Sequence, residues 1–220
     1  MTGASANISF DIGTLPTGIE YVAIHSINTV YGTLNEIPTG ITDFIVNGYN
    51  TITGDISSLS SSLINFEVRG YNTITGDVGY LPTNLETFIL DGYNTIFGQI
   101  RNQPANLEAV YWLGYNTVSG SISDISPAAQ TVYITGQNTV SDYYSWNLST
   151  TVNIFYINPV SPGGLASDEV DKFLINADTY VTLWINGKTI YLKGNNAART
   201  SASDAAVASL TGKGVSIYTN

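Results

Sequence analysis

The chain reads as a mostly β member of the α/β class: a right-handed solenoid of 22-residue coils, each giving one strand to a parallel sheet, closed by a helix-containing C-terminal cap. Three observations predict it. Asn28, Asn50, Asn72, Asn94, Asn116 and Asn138 are each followed by Thr and then Val or Ile, at a constant step of 22 residues. Apolar residues hold fixed positions within every step. Near residue 158 the pattern gives way to helical spacing. A fixed period of this size marks a repeat array, in which one coil cannot bury its apolar face alone. The expected organisation is a solenoid over 1–158 and an α/β capping unit over 159–220, continuous with it.

Aligned from Ile19, Ile41, Leu63, Leu85, Leu107 and Ala129, with a degenerate seventh coil at Thr151, the coils share the consensus L-x-x-F-x-L-x-G-Y-N-T-I-x-G-x-I-x-x-L-P-x-N. Column four holds Val22, Phe44, Phe66, Phe88, Val110, Val132 and Ile154; column six holds Ile24, Val46, Val68, Leu90, Trp112, Ile134 and Tyr156. Apolar residues two apart in a short β-branched and aromatic run predict a strand with one buried face. Columns twelve and sixteen, such as Ile52 and Ile56, add further core groups. Glycines in columns eight and fourteen suit corners that need positive φ or close backbone approach. The asparagines of column ten are expected to satisfy backbone groups left unpaired where the strand turns.

The runs GYNTITGDISSL and GYNTITGDVGYLPTNLETFIL resemble the leucine-rich repeat, whose general pattern is L-x-x-L-x-L-x-x-N-x-L. Here Asn falls one position later. Together with the tail GNNAARTSASDAAVASLTGKGVSIYTN, they look like repeat proteins of certain bacteria and their tailed phages. That resemblance implies architecture, and a role in display and attachment rather than one chemistry.

Composition supports a packed chain: 43% of residues are hydrophobic, enough for a core, while only 11% are charged. Residues 1–150 carry twelve acids and two bases, whereas 151–220 are balanced. An acidic repeat region repels phosphate backbones, so no nucleic-acid partner is expected. Cysteine is absent, which excludes disulfides. No stretch approaches the roughly 18 apolar residues of a membrane span, so no membrane insertion is expected. MTGASANISF has neither the basic nor the apolar region of a signal peptide. This favours a virion component, released by lysis, over a secreted adhesin.

The two ends differ. Ser167 is expected to cap a helix over SDEVDKFLINA, with Val170, Phe173, Leu174 and Ala177 on one face. Val181–Ile185 and Thr189–Leu192 read as strands; Asn186-Gly187 would suit a hairpin, but continuation of the parallel stack is preferred. A second helix over Ser203–Leu210 and a strand over Val215–Tyr218 complete a βαβ unit. At the other end Ile8 and Ile12 fall in columns twelve and sixteen, so the chain enters halfway round a coil. That end is expected either to dock on another subunit or a virion, or to be covered by residues 1–18.

Strand residues pointing away from the core occupy columns three, five and seven. In the later coils these read Tyr111, Leu113, Tyr133, Phe155 and Ile157, an apolar block and the candidate binding surface for a protein partner or a cell-surface glycan. The alternative is that residues 158–190, with Trp184, fold back over it. Tyr49, Tyr71, Tyr93 and Tyr115 in column nine form a second row, expected to be structural. Catalysis finds little footing and no cofactor or metal is expected. His25 is the single histidine, and Asp55 and Asp77 read as a solvated pair rather than a cation site. The expectation is a non-enzymatic attachment protein, such as a phage head or tail fibre or decoration subunit. A bacterial surface adhesin and a self-assembling extracellular filament subunit are the alternatives.

Overall fold

The structure, a computed structural model, describes residues 9–26, 29–147, 152–180 and 187–220. Asn28, the expected strand Val181–Ile185 and Asn186 lie outside them. Every strand pair described is parallel, within one 15-stranded sheet. Two ladders make it up. The front ladder runs through Tyr21–Ser26, Asp43–Gly48, Asn65–Asp77, Thr87–Gly92, Ala109–Trp112, Thr131–Thr135, Ile154–Asn158, Thr189–Leu192 and Ser216–Thr219. The back ladder runs from Ser9–Asp11 to Thr139–Ser141, and Asn65–Asp77 passes through a corner to join both.

Alternation fixes which side chains go inside. Phe44, Phe66 and Phe88 of column four and Val46, Val68 and Leu90 of column six are buried, with Ile52 and Ile56 closing the interior from the back. The phenyl rings stack from coil to coil at 5.7 and 5.8 Å, and Phe88 meets Trp112 at 5.5 Å. After each back strand except the last, Thr139–Ser141, a 3-10 turn begins at column sixteen. Asp11, Asp55 and Asp77 cap such turns, accepting the N–H groups of Gly13, Ser57 and Gly79 at 2.8–2.9 Å. The Asp55 and Asp77 pair therefore has a structural role.

The asparagine column behaves as the repeat predicts. Asn72, Asn94, Asn116 and Asn138 are buried, and their Oδ1 atoms accept the N–H groups of Ile52, Ile74, Ile96 and Val118 at 2.9–3.0 Å. Each residue thus fastens its own coil to the preceding one. Asn196 repeats the device in the C-terminal unit, accepting from Leu165 N–H and donating to the Ile157 and Lys193 carbonyls. The corner before it takes two forms. Gly48, Gly70 and Gly92 have φ of 127–150°, whereas Gly114, Gly136 and Gly194 have φ of 67–76° and open a tight turn.

The seventh coil departs from the 22-residue step. Val132 lies opposite Phe155 and Ile134 opposite Ile157, one residue later than the repeat predicts. Phe155 and Ile157 therefore occupy columns four and six, and Tyr156 takes column five. The extra residue falls after Asp142, which holds φ of 58° where the other coils have glycine. IFYIN is apolar in both parities, so alternation alone could not choose the register.

Thr189–Leu192 pairs in parallel with Ile154–Asn158, as the preferred reading expected. Helix α1 (Ser167–Tyr180) lies between these strands in sequence and helix α2 (Asp204–Gly212) precedes the last strand. Val170, Phe173, Leu174 and Ala177 form the buried face of α1, and Phe173 meets the inward Phe155 at 4.6 Å. The first turn of α1 is capped by Glu169, whose carboxylate accepts the N–H groups of Ala166 and Tyr143, rather than by Ser167. At the N-terminal end Ser9–Asp11 and the turn Ile12–Thr14 form half a coil. Ile12 within it and Val22 and Val30 below it are buried, so this half-coil covers the interior there, the second of the two expected arrangements. Tyr21–Ser26 pairs on one side only among the described residues.

Candidate functional site: a tyrosine ladder on the front sheet

On the outer face of the front ladder, column five reads Ala23, Ile45, Glu67, Ile89, Tyr111, Tyr133, Tyr156, Tyr191 and Tyr218. The last five stack as one aromatic ladder. Successive ring centroids are 5.1, 5.4, 4.0 and 5.9 Å apart, with interplanar angles of 27°, 27°, 7° and 44°. The spacing follows from the sheet, whose neighbouring strands lie about 4.8 Å apart. The rings thus turn their faces toward each other and their edges and hydroxyls outward.

Of the five residues expected on the outer face, three lie on that side of the sheet and two do not. Tyr111 and Tyr133 belong to the ladder, and Leu113 is half-buried just past the strand Ala109–Trp112. Phe155 and Ile157 are corrected: at 1% and 0% exposure they face the interior, because of the extra residue in the seventh coil. Tyr156 takes their place. Sequence reading also missed Tyr191 and Tyr218. Their signal was present in TIYL and SIYT, where Tyr sits between or beside inward Ile and Leu, but reading the tail as a separate unit hid it. Helix α1 packs on the inward side, against Phe155, so it does not cover the ladder. Trp184 lies outside the described residues.

The electrostatics of the two halves differ. In columns three, five and seven, the stretch from Ala109 to Asn220 carries no acid and one base, Lys193, in a chain of net charge −10. The earlier coils are polar and self-paired: Asn47 meets His25 at 3.1 Å, Asn65 donates to Asp43 at 2.7 Å, and Arg69 pairs with Glu67 at 2.7 Å. Burial, and then the neighbouring Tyr133 phenol, push the Tyr111 hydroxyl above the usual tyrosine range. Tyr156 is raised first by its hydrogen bond with Tyr191 and then by burial. Both remain protonated near neutrality.

The column-nine row also stacks, with Tyr49, Tyr71, Tyr93 and Tyr115 at 6.0–6.4 Å and each about half exposed. It stands at the corner of the coil, apart from the sheet face. Among the described residues no three His, Cys, Asp or Glu side chains converge to hold a metal ion. No helix there is long and apolar enough to cross a membrane.

No protein-family model and no curated protein matches the chain. Among solved structures, it is similar to a plant peptide hormone receptor, RGFR1, in complex with RGF2, at a TM-score of 0.61 and 19% identity. The match covers 97% of this chain and 35% of the receptor, so the chain spans about a third of that protein's length. The likeness shows the fold: a leucine-rich-repeat-like solenoid.

Proposed function

We propose that this protein is a non-enzymatic attachment module that binds a protein partner through the outer tyrosine ladder. The supporting observation is the ladder itself: five contiguous tyrosines on an acid-free face of an otherwise acidic chain. Tyrosine edges and hydroxyls give large contact area at low conformational cost, with a hydrogen-bonding tip. A glycan that stacks on aromatic faces suits this surface less well, because the inner rings occupy one another's faces. The reading as non-enzymatic draws on Asp11, Asp55 and Asp77, which cap turns, and on Glu67 and His25, which are paired at the surface. The structural neighbour is a receptor captured with its ligand, which accords with a binding role for the fold.

The proposed setting is a phage virion, with the chain as a fibre or decoration subunit seated through its N-terminal end on the particle or on another copy. Mass spectrometry of purified virions from a producing culture should recover the chain. Recovery instead from the envelope of uninfected cells would replace that setting with a surface adhesin. For the ladder, the double substitution Tyr133→Ala, Tyr156→Ala should abolish capture of the particle's target while leaving the circular dichroism spectrum unchanged. Undiminished capture would remove the ladder from the binding surface.

A further inference from the structure

Tyr156 and Tyr191 form the closest ring pair among the described residues, at 4.0 Å and 7° from parallel. They lie directly opposite each other in adjacent parallel strands, so the backbone holds them in register. Both side chains are half-buried, open to a small oxidant. Tyr133 and Tyr218 extend the stack on either side. The chain has no cysteine, so no disulfide can perform the same task.

We infer that Tyr156 and Tyr191 are a site of oxidative cross-linking, forming an intramolecular dityrosine that staples the seventh coil to the capping unit. The oxidant is hydrogen peroxide acting through a haem peroxidase. It takes one electron and one proton from each phenol and leaves as two molecules of water. The two phenoxyl radicals join through ring carbons ortho to the hydroxyls. The ortho hydrogens then return to the oxygens, restoring both phenols, so the product has lost two hydrogen atoms in all. Near-parallel rings at 4.0 Å bring those ortho carbons into van der Waals contact, whereas the other pairs of the ladder are farther apart or more tilted. Rings stacked along the ladder can pass an electron vacancy to this pair from Tyr111, Tyr133 or Tyr218. The bond would span the insertion of α1, restricting the unfolded chain where the 22-residue step is interrupted.

The test uses the whole chain, dilute, with a haem peroxidase and hydrogen peroxide, followed by proteolysis and mass spectrometry. The expected result is a peptide pair joining Tyr156 to Tyr191, lighter by two hydrogens, with dityrosine fluorescence and a higher thermal midpoint. Tyr191→Phe should lose the cross-linked peptide and Tyr218→Phe should retain it. Phenylalanine keeps the ring, and wild-type mapping alone decides the site if either variant misfolds. Cross-links spread evenly over the ladder, or formed mainly between chains through exposed rings such as Tyr80, would overturn the assignment. So would undiminished fluorescence in Tyr191→Phe. None of these readouts depends on the binding partner.

Discussion

At Asn116 one side chain does the work of a missing strand neighbour. Its Oδ1 accepts the Ile96 N–H in a site about 1% exposed, where water cannot substitute. Asn116→Ala leaves that N–H buried and unpaired, at a cost of about 1–3 kcal/mol. The urea midpoint should fall accordingly with an unchanged slope. The column was legible because Asn-Thr, followed by Ile or Val, repeats without exception across six coils. Its recurrence at Asn196 was not, since GNNA shares only the Gly-x-Asn frame. Nor was the change of corner at Gly114: Tyr-Asn-Thr follows both Gly92 and Gly114, yet their φ values are 127° and 67°. Two residues differ ahead of the glycine: Leu113 stands where the earlier coil has Asp91, and Trp112 is a large ring in a column otherwise filled by aliphatics. Its indole N–H and the Asn94 Nδ2 find no partner among the described residues.

In the strand Ile154–Asn158, the register separates two neighbours with opposite duties. Phe155 is buried against Phe173, so Phe155→Ala should cost about 3–5 kcal/mol. Tyr156→Ala should cost less stability and affect binding instead. Equal losses in chemical denaturation would return the strand to the register the repeat predicts. Sequence located this strand but not its phase, because both parities are apolar and the glycine of column fourteen is replaced by Asp142. The capping helices add an acid dependence. Burial works to raise the Asp171 carboxyl, but hydrogen bonds from Ser203 and Thr200, with the charge of Arg199, outweigh it and hold the pKa below the ordinary 3.8. Burial likewise works to raise the Asp178 carboxyl, but hydrogen bonds from Lys213 and Ser209, with the charge of Lys213, outweigh it and hold the pKa down. A depressed carboxyl stabilises the folded state fully above its unfolded pKa and loses that contribution as pH falls through the folded value. The midpoint of the helical unit should therefore drop below about pH 4, and Asp171→Asn should flatten that dependence.

Across the whole molecule, stability comes from coil-on-coil packing and backbone ladders more than from charge. The ion pairs among the described residues, Arg69–Glu67, Arg199–Asp204 and Lys213–Asp178, are all at least partly exposed, and such pairs contribute little. The net charge of −10 instead gives self-repulsion that salt screens. Added sodium chloride should leave the thermal midpoint unchanged or raise it slightly; a marked fall would mean that ion pairs matter more than their exposure indicates. The architecture was readable because every coil repeats the same solution. The tyrosine ladder was only half readable, because it extends across the boundary where the repeat loses its period.

The junction between Thr87–Gly92 and Ala109–Trp112 has a mechanical consequence. Strand pairing there stops at Ile89 opposite Tyr111, while the neighbouring pairs run on to Asp91 and Trp112. A Cβ on Gly92 would come within 2.5 Å of the Gly70 carbonyl, but one on Gly114 would clear the Gly92 carbonyl by 3.8 Å. With fewer paired residues and looser contact, this seam of the front ladder, directly before the first tyrosine, is where the sheet is expected to yield first. A load on the aromatic half would flex the protein there, leaving the tyrosines themselves moving as one rigid plate.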